Sequence, residues 1–179
     1  VCVCVCVSVS LANSPPLYYY CLLQMMRESV HDEHISWRAC RALRPLVLDS
    51  DKREDGSALI RSMCVQNKVD SICLDVMKHH GGTEAIDSLV QGQAAQVLGV
   101  VAFGSDVVRR RAGENGAMQC LVAAMERHAQ VDEKLLLHCL TTVTNLAHNS
   151  QDNRHRFIEA QGLEALTDGM ETYVRMHMY

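Results

Sequence analysis

The chain has few aromatic residues and little proline. Only 4% of its 179 residues are Phe, Trp or Tyr, and it holds 3 prolines and 1 tryptophan. That argues against a β-sandwich and for a core of Leu, Val, Ala, Met and Cys packed between helices. Positive charge is not in excess either. Lys and Arg total 17 against 21 Asp and Glu, a net charge of -4, which excludes bulk attraction to nucleic acid or to an anionic membrane surface. Beyond the first dozen residues no apolar run approaches the roughly 20 residues that span a bilayer. The sequence has no Gly-rich loop followed by Lys-Ser or Lys-Thr, no G-x-S-x-G and no H-E-x-x-H. The phosphate-cradling, nucleophile-elbow and zinc-helix chemistries that need those spacings are therefore not indicated. Neither an enzyme nor a cofactor is expected.

Cysteine and methionine are plentiful, at 9 each. Most of the cysteines fall on apolar helical stripes, so buried free thiols in a reducing compartment are expected, not a disulfide framework. The cytoplasm is the expected location, with the nucleus as a second compartment.

The informative stretch is residues 131–170, VDEKLLLHCLTTVTNLAHNSQDNRHRFIEAQGLEALTDGM. Leu136, Cys139, Leu140, Val143 and Leu146 recur at spacings of three and four and share one face of a long helix. Asp132 is suited to cap its start, and the polar run Asn149–Asn153 ends it. Phe157 and Ile158 mark a short helix, Gly162 a corner, and Leu163, Leu166, Met170 and Tyr173 a further apolar stripe. The same pattern lies 45 positions upstream without a gap. Leu98 corresponds to Val143, Ser105 to Ser150, Arg109 to Arg154, Met118 to Leu163, Leu121 to Leu166 and Met125 to Met170. A self-match of this period carried by helical stripes marks a HEAT- or armadillo-type solenoid.

The segments "TVTNLAHNS" and "RFIEAQGLEAL" resemble the third helix of an armadillo repeat and the first helix, corner and second helix of the next. "RALRPLVLDSDKRED", with an Arg44-Pro45 turn, and "ALIRSMCVQNKVDSICLDVM" are similar to the armadillo repeat-containing protein 6 family. The resemblance implies an all-α, right-handed α-solenoid, a fragment of about two full repeats (49–105 and 106–150) with partial units at 34–48 and 151–178. The domain as a whole runs over 25–179. Within it, helices are expected at 57–66, 68–80, 84–103, 106–114 and 117–128, with Thr83 capping the third of these and Gly92 and Gly99 marking close helix approach or a bend. Residues 1–24 are set apart. Their Val-Cys alternation is what a TG dinucleotide repeat encodes, with a signal peptide as the alternative.

The resemblance also implies a function: a non-catalytic scaffold or adaptor that binds a protein or peptide along the groove of its third helices. The alternative is an importin- or catenin-like transport or signalling receptor. The groove candidates are Arg41, Arg44, Gln93, Gln96, Thr141, Thr142, Asn145 and His148, a polar and mildly basic set suited to an acidic segment. In the importin-like branch a Trp and an Asn four residues apart hold a basic peptide; Asn145 fits, but Thr141 stands at the Trp position. Arg109, Arg110 and Arg111 are the densest positive run, either an anion contact or a solvated helix face. His31, His34 and Cys40 could be metal ligands by type, but a solvated helix start is the plainer reading, and no metal is expected. His79-His80 suit a helix C-terminus. No nucleic-acid or membrane partner is expected; self-association through exposed solenoid ends is.

Overall fold

The computed structural model describes residues 17–48, 57–128 and 132–178. Every regular element among them is a helix: α1 (Leu17–Glu28), α2 (Glu33–Leu48), α3 (Ser57–Gln66), α4 (Val69–His79), α5 (Ala85–Ala102), α6 (Asp106–Glu114), α7 (Ala117–His128), α8 (Glu133–Ala147), α9 (Gln151–Glu159) and α10 (Gly162–Met178). No described helix is long and apolar enough to cross a membrane.

Each helix is apolar along one side, and the packing joins those sides in steps of three. α5 lies between α2 and α8, α1 meets α4, α4 meets α7, α7 meets α10, and α6 meets α9. The arrangement is compatible with an α-solenoid. The buried side of α4 is the expected one, Val69, Ile72, Cys73, Val76 and Met77. α5 buries Val90, Ala94, Val97, Leu98 and Val101 as expected, while Leu89 is 46% exposed.

The corners between helices recur at the 45-residue interval found in the sequence. Ser105 (φ -129, ψ 102) and Ser150 (φ -129, ψ 98) each accept the N–H three residues on, capping α6 and α9. Phe103 (φ -63, ψ 120) and His148 (φ -61, ψ 123) end α5 and α8 alike. Left-handed residues sit at Gly104 and Asn149 after those helices, and at Lys68, Gly116 and Gln161 before α4, α7 and α10. Lys68 and Gln161 hold a conformation that L side chains disfavour, in return for a two-residue corner that keeps both flanking helices in contact.

Four expectations are corrected. Residues 17–24 belong to the helical body, because Tyr19, Leu23 and Met26 form a stripe that is at most 1% exposed and α1 covers α2 and α4. The partial unit therefore begins before residue 34; the Val-Cys run itself lies outside the described residues. Arg44-Pro45 is no turn. The buried Leu43 and Val47 carry α2 through it to Leu48. Glu84, not Thr83, caps α5, through a reciprocal box with Asp87. Finally, the φ of the α9–α10 corner is carried by Gln161. Gly162 is needed for space, since a Cβ there would stand 2.3 Å from the Phe157 ring.

The face α10 buries also differs from expectation. Gly162, Ala165 and Gly169 are inside, whereas Leu163 and Met170 are 52% and 58% exposed. Tyr173 of the same stripe is 44% exposed, and Ile158 of α9 is 56% exposed. Small residues let α10 come close to α7 and α9.

The two glycines of α5 separate on the same geometric test. A Cβ on Gly99 would meet the Thr142 side chain at 2.5 Å and its Cα at 3.2 Å, whereas one on Gly92 meets only ordinary contacts at 3.6–3.8 Å. Alanine is better than glycine in a helix by about 1 kcal/mol, and forced overpacking costs about 1–3 kcal/mol. Gly92→Ala should therefore leave stability unchanged or raise it by up to ~1 kcal/mol, while Gly99→Ala lowers it. Urea denaturation of the two variants checks the opposite signs.

Candidate functional site

α2, α5 and α8 lie side by side, so residues at matching positions on the three helices form one continuous band. Arg44 on α2 donates through Nη1 to Gln96 Oε1 on α5 at 2.8 Å. The Arg41 guanidinium sits 5.3 Å from the centroid of the Trp37 ring, a distance at which the ring face attracts the cation. On α8, His138 packs beside Gly92, and its basicity is lowered first by burial and then by the nearby Arg44 charge. Lys134, Thr141 and His148 are exposed along the same helix, and Gln93 and Asn145 are half-buried.

The expected groove residues are thus largely brought together, with two corrections. Thr142 is 1% exposed. Its Oγ1 lies 2.7 Å from the Ala95 carbonyl oxygen and 2.8 Å from that of His138, so its proton is used inside the α5–α8 seam. Asn145 also turns partly inward, donating through Nδ2 to the Gly99 carbonyl at 3.0 Å. The internal match sets Thr142 on the fully buried Val97 and so hints at its burial, but not at the α5 carbonyls that it and Asn145 bond. Lys134 and His138 were missed because their own helix gives no motif. Only lateral packing reveals them.

The arginine run of α6 divides by direction. Arg109 is 7% exposed; it pairs with Asp106 and donates through Nη1 to the Ala102 carbonyl at 3.1 Å. Arg154, 45 residues on, makes the same 3.1 Å bond to the Ala147 carbonyl. These cations give the last carbonyls of α5 and α8 a second hydrogen bond, beside those from the Ser105 and Ser150 N–H groups, and complement the helix dipoles. Arg111 grips the fully buried Asp70 carboxylate, with Nε 2.7 Å from Oδ2, and also bonds the Val65 carbonyl. The hydrogen bond to Asp70 raises the Arg111 pKa, outweighing its partial burial. Only Arg110 is exposed, so the run does not form an anion site as a unit.

The remaining polar candidates are spread apart. His31 meets His79 with 2.9 Å between ring nitrogens, His34 is exposed, and Cys40 is fully buried. His80 reaches from the end of α4 to the Val30 carbonyl at 2.7 Å. Among the described residues no three His, Cys, Asp or Glu side chains form a metal-binding group. Burial pushes the Cys40 and Cys139 thiols up to about 12 and raises Cys73 and Cys120 as well. Thiols held protonated in this way pack as small apolar groups and make poor nucleophiles. Compared with protein-family models, curated proteins and solved structures, the chain matches none of them.

Two outcomes follow from this geometry. Arg109→Met should destabilise the chain by about 1–3 kcal/mol, because a buried charge-assisted bond to a helix end is lost; chemical denaturation measures it. Histidine titration contributes to the loss of stability in acid. His138 is lowered by burial and by Arg44, and His79 by desolvation and then by His31 and His80. Their unfolded forms take up protons near 6.5 while the folded ones resist. Stability is therefore complete above that pH and is lost as pH falls through and below it. A melting temperature level from pH 8 to 7, dropping below about 6.5 and dropping less in His138→Gln, is the expected profile.

Proposed function

We propose that the chain is a segment of an armadillo-type, right-handed α-solenoid acting as a non-catalytic scaffold. In this reading the face formed by α2, α5 and α8 binds an acidic stretch of a partner protein. The observation that carries it is the band running from Arg41 and Arg44 through Gln93 and Gln96 to Lys134, His138 and His148. It crosses three helices and contains Arg41, Arg44 and Lys134 with two histidines, of which His138 lies within electrostatic reach of Asp132. Leu89, nearly half exposed, gives the band an apolar margin. The armadillo assignment is supported by the packing of every third helix and by the matched corner dihedrals 45 residues apart.

An extended acidic segment suits such a band because guanidinium groups engage carboxylates in pairs of parallel hydrogen bonds and fix their orientation. Affinity would be modest and sensitive to salt, since Arg41, Lys134 and His148 are exposed and screened. The importin-like alternative draws no support. Thr141 stands where the ring would be, and the amide of Asn145 is committed to Gly99.

The test is fluorescence anisotropy with a dye-labelled peptide rich in Glu and Leu, and with a lysine-rich peptide as comparator. The acidic peptide should bind, and Arg41→Glu combined with Lys134→Glu should weaken it at least about tenfold. Equal or tighter binding of the lysine-rich peptide, or indifference to the charge reversal, would refute the proposal.

A further inference from the structure

His138 differs from the other polar side chains of the α2–α5–α8 band. It is half-buried, with Cδ2 3.6 Å from the place a Cβ on Gly92 would take. Arg44 reaches the same helix from the other flank, through its 2.8 Å bond to Gln96. Residues 92 and 96 are one turn apart on one face of α5, so the imidazole and the guanidinium come to adjacent turns of one ridge. Burial first, and then the Arg44 charge, lower the basicity of His138. A guanidinium has five N–H donors, and the bond to Gln96 uses one. Among the described residues the His138 imidazole has no hydrogen-bond partner. Two further charges act on it from the start of its own helix, Asp132 favouring the protonated form and Lys134 opposing it. The Asp132 carboxylate is engaged elsewhere, accepting from the Ser88 hydroxyl and from the Leu135 N–H at 3.0 Å. α5 brings only the Gln93 and Gln96 amides, since its one charged side chain, Asp87, faces His80. On α7, His128 acts on Asp132 and Arg127 lies beside Gly81. Arg154 of α9 is held on the Ala147 carbonyl, Arg109 of α6 is paired with Asp106, and Arg41 of α2 lies over Trp37.

We propose, resting on the reading of the band as a site for an acidic segment, that Arg44 and His138 grip one carboxylate of that segment between them, and that His138 takes part only when protonated. Binding then takes up a proton and tightens in mild acid. A carboxylate seated on this ridge meets the guanidinium on one side and an imidazolium N–H on the other, and both bonds are charge-assisted. Without the carboxylate a second cation beside Arg44 is opposed, and His138 stays neutral near pH 7.5. Protonation and partner binding therefore favour each other, each by the same factor.

The probe is the dye-labelled peptide rich in Glu and Leu, titrated by anisotropy into the whole chain at about pH 7.5 and about pH 6.0, where its carboxylates are ionised throughout. Kd should fall about threefold or more at the lower pH. His138→Gln, which keeps a polar side chain but cannot become charged, should lose that gain. His155→Gln, on the exposed side of α9, should keep it. Calorimetry at the lower pH, in two buffers of different ionisation heat, should find about half a proton taken up per peptide bound, and close to none in His138→Gln. Binding without the gain in acid, or a gain that survives His138→Gln, would overturn the proposal and leave the acidic-segment reading standing. No binding at either pH would overturn both.

Discussion

A helix that is apolar along one side has no stable place in water until another helix covers that side, and this constraint organises the chain. α5 shows it most clearly. It is covered on both flanks, by α2 and α8, and buries residues from Ser88 to Ala102 on nearly every turn. At about 25 cal/mol per Å² of apolar surface removed from water, such lateral contact outweighs what local helix propensity provides. It also explains why α5 tolerates two glycines. The central helix gains more from closeness than it loses from flexibility, most plainly where Gly99 lies under Thr142.

Burial on this scale leaves the polar ends of the helices to be satisfied, and the same few devices serve repeatedly. Ser105 and Ser150 take up the first N–H groups of α6 and α9. Arg109 and Arg154 reach back to the last carbonyls of α5 and α8. Gln91, buried in α5, donates to the Met77 and His80 carbonyls at the end of α4. Arg109, Arg154 and Gln91 each link two helices while closing one backbone end, so the corners are held by side chains as well as by the core.

Much of this was legible in the amino-acid order. The apolar spacing gave the helices, and the 45-residue match gave their succession, because both depend on local geometry. The errors arose where a side chain's role depends on a neighbour distant in sequence. Thr142 and Asn145 looked like surface polars and instead bond to α5 carbonyls. Arg109 and Arg111 read as one positive run, yet each has its own internal acceptor. The buried Asp70 gives no warning at all in the apolar run of α4, and its partner lies 41 residues away. Residues 17–24 were set aside because low complexity beside them obscured the Tyr19–Leu23–Met26 stripe.

The Asp70–Arg111 clamp has a consequence for how the molecule comes apart. Asp70 belongs to α4 and has no exposure to water, while Arg111 arrives from α6, which opens the next set of three helices. Were α6 to lift away alone, an uncompensated carboxylate would remain in the interior, a penalty on the order of 3–5 kcal/mol. The corresponding arginine one step on, Arg156, bonds to Asn153 within its own helix, and that seam is tied by neutral bonds from the buried Asn153 amide to the Arg109 and Leu146 carbonyls. Opening motions are thus directional: α9 and α10 part from the rest without stranding a buried charge, while the sets on either side of the clamp exchange their amide protons as one cooperative block.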